Sequence, residues 1–264
     1  MDYQYILVDV KDRIATVTIN RPEYSNAFAR ESYFEIADAM NTLGAREDVG
    51  AIVITGAGKH FSAGGDIKRF KMLVDTGAYL KAEDIEAVSA MPMSIRNCPK
   101  TVIAMINGVA TGAGLSCALA CDFRIVEPSS KMIMAFVNMG LCGDNESIYT
   151  LMRLVGPDKA ELMMMTGDAY KGEQCVKTGL ATILAEDGKL AETTYALAAK
   201  LASKSSTAHA GQKRLIRKYF YGGMENFAKD EGIEMAAASR QPDFTEAVNA
   251  FIEKRMPAYN LPHK

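Results

Sequence analysis

The chain has 264 residues, of which 48% are apolar and 23% charged, and its formal net charge is −2. These proportions fit a globular protein of one large domain, or one domain with an appendage. They exclude the global basic field expected of a nucleic-acid or anionic-membrane binder, and no apolar run is long enough for a spanning helix.

In chain order, "YILVDV" and "IATVTIN" are β-branched runs around "KDR", the pattern of a hairpin. The N-terminal "MDYQYILVDVKDR" is acidic and strand-like, unlike a signal peptide. After the turn "RPEYSNAF", "ARESYFEIADAMNTLGARED" has the spacing of an amphipathic helix. "VGAIVITGAG" and "KTVIAMING" predict buried strands, each leading to a glycine-rich turn and a helix start, "SAGGDIKRF" and "TGAGLSCAL". The stretch between them is expected to be helical from about residue 78 to 97. "FRIVEP" and "KMIMAFV" predict further strands. From Ile148 onward the pattern is mainly helical, apart from a strand in "LATILA", and the last 65 or so residues hold no strand signal. We therefore expect an α/β core over residues 1–198 and a helical region over 199–264. Met132, Met134 and Met139 are core filler or the lining of an apolar cavity.

The cysteines (Cys98, Cys117, Cys121, Cys142, Cys175) are odd in number and form no CxxC pair. Reduced, buried thiols in a cytoplasmic protein are expected. No His or third Cys completes a ligand set with Cys117 and Cys121, so no metal site is predicted.

Both glycine turns place backbone N–H groups at a helix start, where an anion is favoured. Neither has phosphate-loop spacing. A second candidate is "GLCGDNES", where Asp144 and Glu146 stand in a glycine-containing turn before "IYTLMRLVG". Asp144 is either a reactive carboxylate or an N-cap, and Glu146 reads as a first-turn residue of that helix.

Taken together, "RPEYSNAF", "FSAGGDI", "INGVATGAGLSCALACDFRI", "RLVGPDKAELMMMTG" and "FIEKRMPAY" resemble the crotonase family, the enoyl-CoA hydratases and isomerases, in order along nearly the whole chain. The resemblance implies an α/β fold, a spiral of repeated ββα units with C-terminal helices that form homotrimers or hexamers, acting on acyl-CoA thioesters. It implies an oxyanion hole from the backbone N–H groups of Gly65 and Ala113. Ala27, Ala63, Asp66, Ile67, Phe136, Phe251 and Lys254 fall at positions implied to contact substrate, with Phe251 and Lys254 reaching the CoA of a neighbouring subunit. Arg21 and Lys68 lie beside segments that hold CoA, where its phosphates would be. Asp66 is also expected to cap the following helix.

The family's hydratases use two glutamates, and the matching positions here are Ser116 and Phe136. Serine and phenylalanine cannot position and deprotonate water. Asp144 matches the single acid of ring-epoxide and dienoyl-CoA isomerases, and most resembles the phenylacetate-pathway enzyme. The resemblance thus implies an isomerase using Asp144, with Glu146 in reserve. The alternative is a hydratase or thioester hydrolase using Asp144 or Glu146 on water, and a third reading is a silent acyl-CoA-binding protein. The histidine base of the related dehalogenases is replaced by Ser89. His60 is expected to be structural, and no metal or redox cofactor is required by the proton transfer.

Overall fold

In a computed structural model of the chain, residues 2–259 are described. The hairpin forms as expected: β1 (Ile6–Lys11) pairs antiparallel with β2 (Ile14–Ile19). Both turn residues, Asp12 and Arg13, have positive φ, the geometry whose twist suits a two-residue hairpin.

β2 then starts the parallel part of a six-stranded sheet of order β1-β2-β3-β4-β6-β9, with β3 (Ala51–Gly56), β4 (Thr101–Ile106), β6 (Phe123–Val126) and β9 (Ile183–Leu184). All six residues of β3 are buried, because both faces of the sheet are covered. One face, with Ile52, Ile54, Val102 and Ala104, joins the main core beneath α1 (Arg30–Ala45), α4 (Ala90–Asn97) and α5 (Ala113–Ala120). The other, with Ala51, Val53 and Ile103, packs on α9 (Leu190–Ala202) through Leu190, Ala198 and Ala202.

A second sheet, β5-β7-β8, consists of the short strands β5 (Val109–Thr111), β7 (Lys131–Ile133) and β8 (Ala169–Lys171). The long strand expected from "KMIMAFV" stops at Ile133, and the chain turns into a 3-10 segment at Val137–Met139. β5 and β8 were not foreseen, since three residues carry too little pattern to show a period. Met132 and Met134 are core residues, whereas Met139 is partly buried.

The remaining helices are α2 (Ile67–Thr76), α3 (Ala82–Val88), α6 (Ser147–Val155), α7 (Pro157–Thr166), α8 (Gly172–Thr178), α10 (Ser206–Phe220), α11 (Met224–Ala238) and α12 (Pro242–Ile252). The expected division after residue 198 falls inside α9, whose last turn still packs on the sheet: a Cβ at Gly50 would overlap Ala202 at 2.8 Å. A helical C-terminal region does follow, in α10, α11 and α12. No described helix is long and apolar enough to cross a membrane. The five cysteines are free thiols, four of them buried.

Candidate active site

The two glycine turns, distant in sequence, are joined backbone to backbone. The Ser62 N–H donates to the Val109 carbonyl (3.0 Å), and the Thr111 N–H donates to the Ser62 carbonyl (3.1 Å). The contact is so close that a Cβ at Gly64, where φ is +86°, would lie 2.8 Å from the Thr111 oxygen. At Gly112, φ 51° and ψ −127° is backbone that only glycine adopts readily.

Peptide planarity then sets the direction of two N–H groups. The Gly64 carbonyl accepts from the Phe28 N–H (2.7 Å), so the N–H of Gly65 in the same trans peptide points the opposite way. The Gly112 carbonyl accepts from the Ser116 N–H (3.0 Å) inside α5, so the Ala113 N–H points out of the helix N-terminus. Among the described residues neither N–H has an acceptor. Both residues line one cavity of about 330 Å³.

Asp144 lies on the wall of the same cavity, in the segment between the 3-10 turn and α6. It is 7% exposed, and its Oδ1 has no hydrogen-bond partner. Burial raises its pKa to about 6, with the nearby Asn145 amide and Arg69 guanidinium pulling the other way. Its side chain does not take the N-cap role, the second of the two readings of the sequence. The N-cap position is Glu146, and it is the Asp144 backbone carbonyl that accepts from the Ser147 N–H (3.2 Å). The Asp144 carboxyl is thereby left uncommitted to the helix, in a residue that lines the cavity.

Of the anticipated residues, Gly65, Ala113, Asp144, Ala63, Asp66, Ile67, Phe136 and Phe251 line this cavity, and Ala27, Lys254 and Glu146 do not. Ala27 is buried, and its carbonyl accepts from the Arg21 guanidinium. Lys254 is exposed at the end of α12. Phe251 lies on the wall of its own subunit's cavity, beside Arg255 and Pro257. Asp66 caps α2 as expected: its Oδ1 accepts from the Lys68 N–H (3.0 Å). Arg21 is not free for a phosphate. It pairs with Asp66 at 3.0 Å and lies 4.7 Å from the centre of the Tyr24 ring. Lys68 likewise lies over Tyr24, 4.3 Å from its ring centre. The His60 Nδ1 is buried and unpartnered, and burial lowers its pKa. His263 falls outside the described residues.

Several functional neighbours were missed. Phe28 just before α1, Tyr33 in its first turn, Arg69 on α2 and Met235 on α11 also line the cavity. Behind Asp144 lie two more buried carboxyls. Glu146 is raised to about 8, chiefly by burial, with Ser89 beside it pulling down and Asp144 pushing up. Glu231 is raised to about 9, by burial and then by the charges of Asp144 and Glu146. Glu231 did carry a sequence signal. Met224, Ala228, Glu231, Gly232 and Met235 form the buried stripe of α11, and a glutamate on such a stripe needs a partner.

The enoyl-CoA hydratase/isomerase family profile matches residues 9–261. A trans-2-decenoyl-acyl-carrier-protein isomerase from Streptococcus mutans is 30% identical over 260 residues, covering 98% of this chain and 99% of that protein. A 1,2-epoxyphenylacetyl-CoA isomerase from Escherichia coli is 29% identical, covering 97% and 98%. The crystal structure of an enoyl-CoA hydratase from Mycobacterium avium subsp. paratuberculosis superposes with a TM-score of 0.89 at 26% identity, over 98% of this chain and 100% of that one. By the order of its strands and turns, and by these matches along its length, the chain belongs to the enoyl-CoA hydratase/isomerase (crotonase) family.

Proposed function

We propose that the protein is an acyl-thioester isomerase that moves a double bond, or rearranges a ring, by proton transfer through one carboxylate. The observation that carries this is the state of the acids on the cavity wall. There are two, Asp66 and Asp144. Asp66 is held by Arg21 and by the α2 cap, whereas Asp144 has no ion pair among the described residues and its buried Oδ1 has no hydrogen-bond partner. The hydratase glutamate positions, Ser116 and Phe136, carry no acid; the Ser116 hydroxyl faces the Gly112 and Asp144 carbonyls, both 3.2 Å away.

For a 3-enoyl thioester, Asp144 takes a proton from C2. The electron pair moves onto the thioester oxygen, giving a dienolate, and Asp144 returns the proton to C4 as the double bond forms between C2 and C3. The N–H groups of Gly65 and Ala113 stabilise the oxygen charge, which in such sites contributes about 10²–10³ in rate per donor. A carboxyl with a pKa near 6 is poised to accept and return a proton near neutral pH. This exchange needs no metal or redox group. Acyl-CoA is the substrate carrier proposed, and the apolar wall of Phe28, Leu80, Ile85, Val88 and Met235 suits the acyl chain. A cytoplasmic homotrimer or hexamer is part of the same proposal, supported by Leu215, Ile216, Tyr219 and Phe220 exposed on α10.

The test is mass and ultraviolet analysis of products from 3-enoyl-, 2-enoyl- and cyclic acyl-CoA thioesters in heavy-oxygen water. A product of unchanged mass with a shifted double bond is expected, with kcat about 10²–10⁴-fold lower in Asp144→Asn. Uptake of labelled oxygen would instead establish water addition or thioester hydrolysis.

A further inference from the structure

The turn that carries Asp144 is closed by one backbone bond of its own, from the Ser147 N–H to the Asp144 carbonyl (3.2 Å), and the side chains of Asn145 and Glu146 add none. Asn145 and Glu146 are consecutive non-glycine residues with φ of 55° and 52°. Asparagine enters that region more readily than most residues, but a glutamate persists there only where the surroundings enforce it. The two side chains do not enforce it: both polar atoms of the Asn145 amide and both Glu146 carboxyl oxygens are buried without a hydrogen-bond partner among the described residues. α6, which starts here, has no side-chain cap at its N-cap position.

The missing acceptor comes from another element. Glu231, 85 residues further along the chain on α11, accepts from the Glu146 N–H at 2.7 Å. Its carboxyl group also faces the Ile148 N–H in the first turn of α6. Glu231 is 4% exposed, so water does not compete for this bond. The rest of α11 is well placed to hold it still. A Cβ at Gly232 would lie 3.1 Å from the Ala82 carbonyl of α3, and Met235, one turn on from Glu231, lines the cavity alongside Ile85 and Val88.

We propose that Glu231 is a positioning residue, capping α6 from α11 and locking the left-handed Asn145–Glu146 turn so that Asp144 is fixed against the cavity. The benefit to catalysis rests on Asp144 being the proton-transfer group. The clamp itself does not, and the two can fail separately. A buried carboxyl that only completed the core would be replaceable by an apolar side chain of similar size without disturbing the turn.

The experiment compares the full-length protein with Glu231→Leu and Glu231→Gln by amide hydrogen exchange across residues 141–150 and by steady-state kinetics with a 3-enoyl-CoA thioester. In the leucine variant, exchange across the turn should rise at least about tenfold. Its kcat should fall at least about tenfold with KM changed less than about threefold, because a misplaced acid harms the chemical step more than binding. The glutamine oxygen accepts the same bond, so Glu231→Gln should restore both readouts to within about threefold of the parent. Unchanged exchange in the leucine variant would overturn the clamp. So would a glutamine variant that keeps the turn protected yet loses kcat as fully as leucine, since the carboxyl proton rather than its geometry would then matter. Should Glu231→Leu fail to melt cooperatively, Glu231→Met carries the same comparison. A parent protein without isomerase activity would reject the proposed function, while the exchange result would still decide the clamp.

Discussion

The two halves of the candidate site are built in opposite ways. The N–H donors of Gly65 and Ala113 stand at the ends of short turns leaving β3 and the β4–β5 unit, and the turns brace each other through Ser62, Val109 and Thr111. Glycine supplies the geometry at Gly64 and Gly112, so the shape of each turn follows from local sequence. The acid is different. Asp144 sits between Gly143 at φ 152° and two left-handed non-glycine residues, and the bond that holds them crosses to the C-terminal helices. The donors are thus held by backbone bonds between two glycine turns, whereas the acid's position depends on a side-chain bond from α11.

The largest test of this contrast is Gly112→Ala. A methyl there makes only an ordinary van der Waals contact, with Gly64 Cα 3.9 Å away, but the residue must keep φ 51° and ψ −127°. The turn should relax and carry the Ala113 N–H with it. We expect kcat to fall about 10²–10³-fold, as for loss of one oxyanion donor. The turn around Asp144 should stay protected from hydrogen exchange. Exchange that rises in both turns would mean the two halves are one mechanical unit.

Next in size is the pH profile. Asp144 must be ionised to accept a proton, and its pKa is raised to about 6. kcat/KM should therefore climb about tenfold per pH unit below 6 and level off above it. A profile flat from pH 5 to 7 would remove Asp144 from the role of base.

The smallest effect concerns stability. Glu146 and Glu231 are raised to about 8 and about 9, so between the ordinary carboxylate range and pH 9 the folded chain binds more protons than the unfolded one. The sign follows: stability is greatest toward the acid end of that window and falls as pH rises through 8 and 9. Glu231→Gln removes one of these groups and should flatten the fall in Tm between pH 6 and 9, measured by calorimetry in matched ionic strength. An equally steep fall in that variant would show that Glu231 does not titrate in the fold.

Much of this was present in the sequence. The β-branched hairpin, the buried runs of β3 and β4, and the glycine turns with their helix starts reflect backbone preference and hydrophobic period, both local properties of the chain. They fixed the order of elements, while the two donor positions and Asp144 as the candidate acid came from the family resemblance of the motifs. Three things were settled only by tertiary structure. The short strands β5 and β8 exist because partners complete their hydrogen bonds, and three residues alone do not encode that. Arg21 looked available for a phosphate but is held by Asp66 and Tyr24, a matter of which charge lies nearest in space. Finally, Asp144, Glu146 and Glu231 are carboxyls of one type in the sequence. Burial and distance separate them into one on the cavity wall, one buried away from it, and one bonded to the backbone of the turn that bears the first. An acid's chemistry is set by what surrounds it, and that is decided when α11 packs beneath α6.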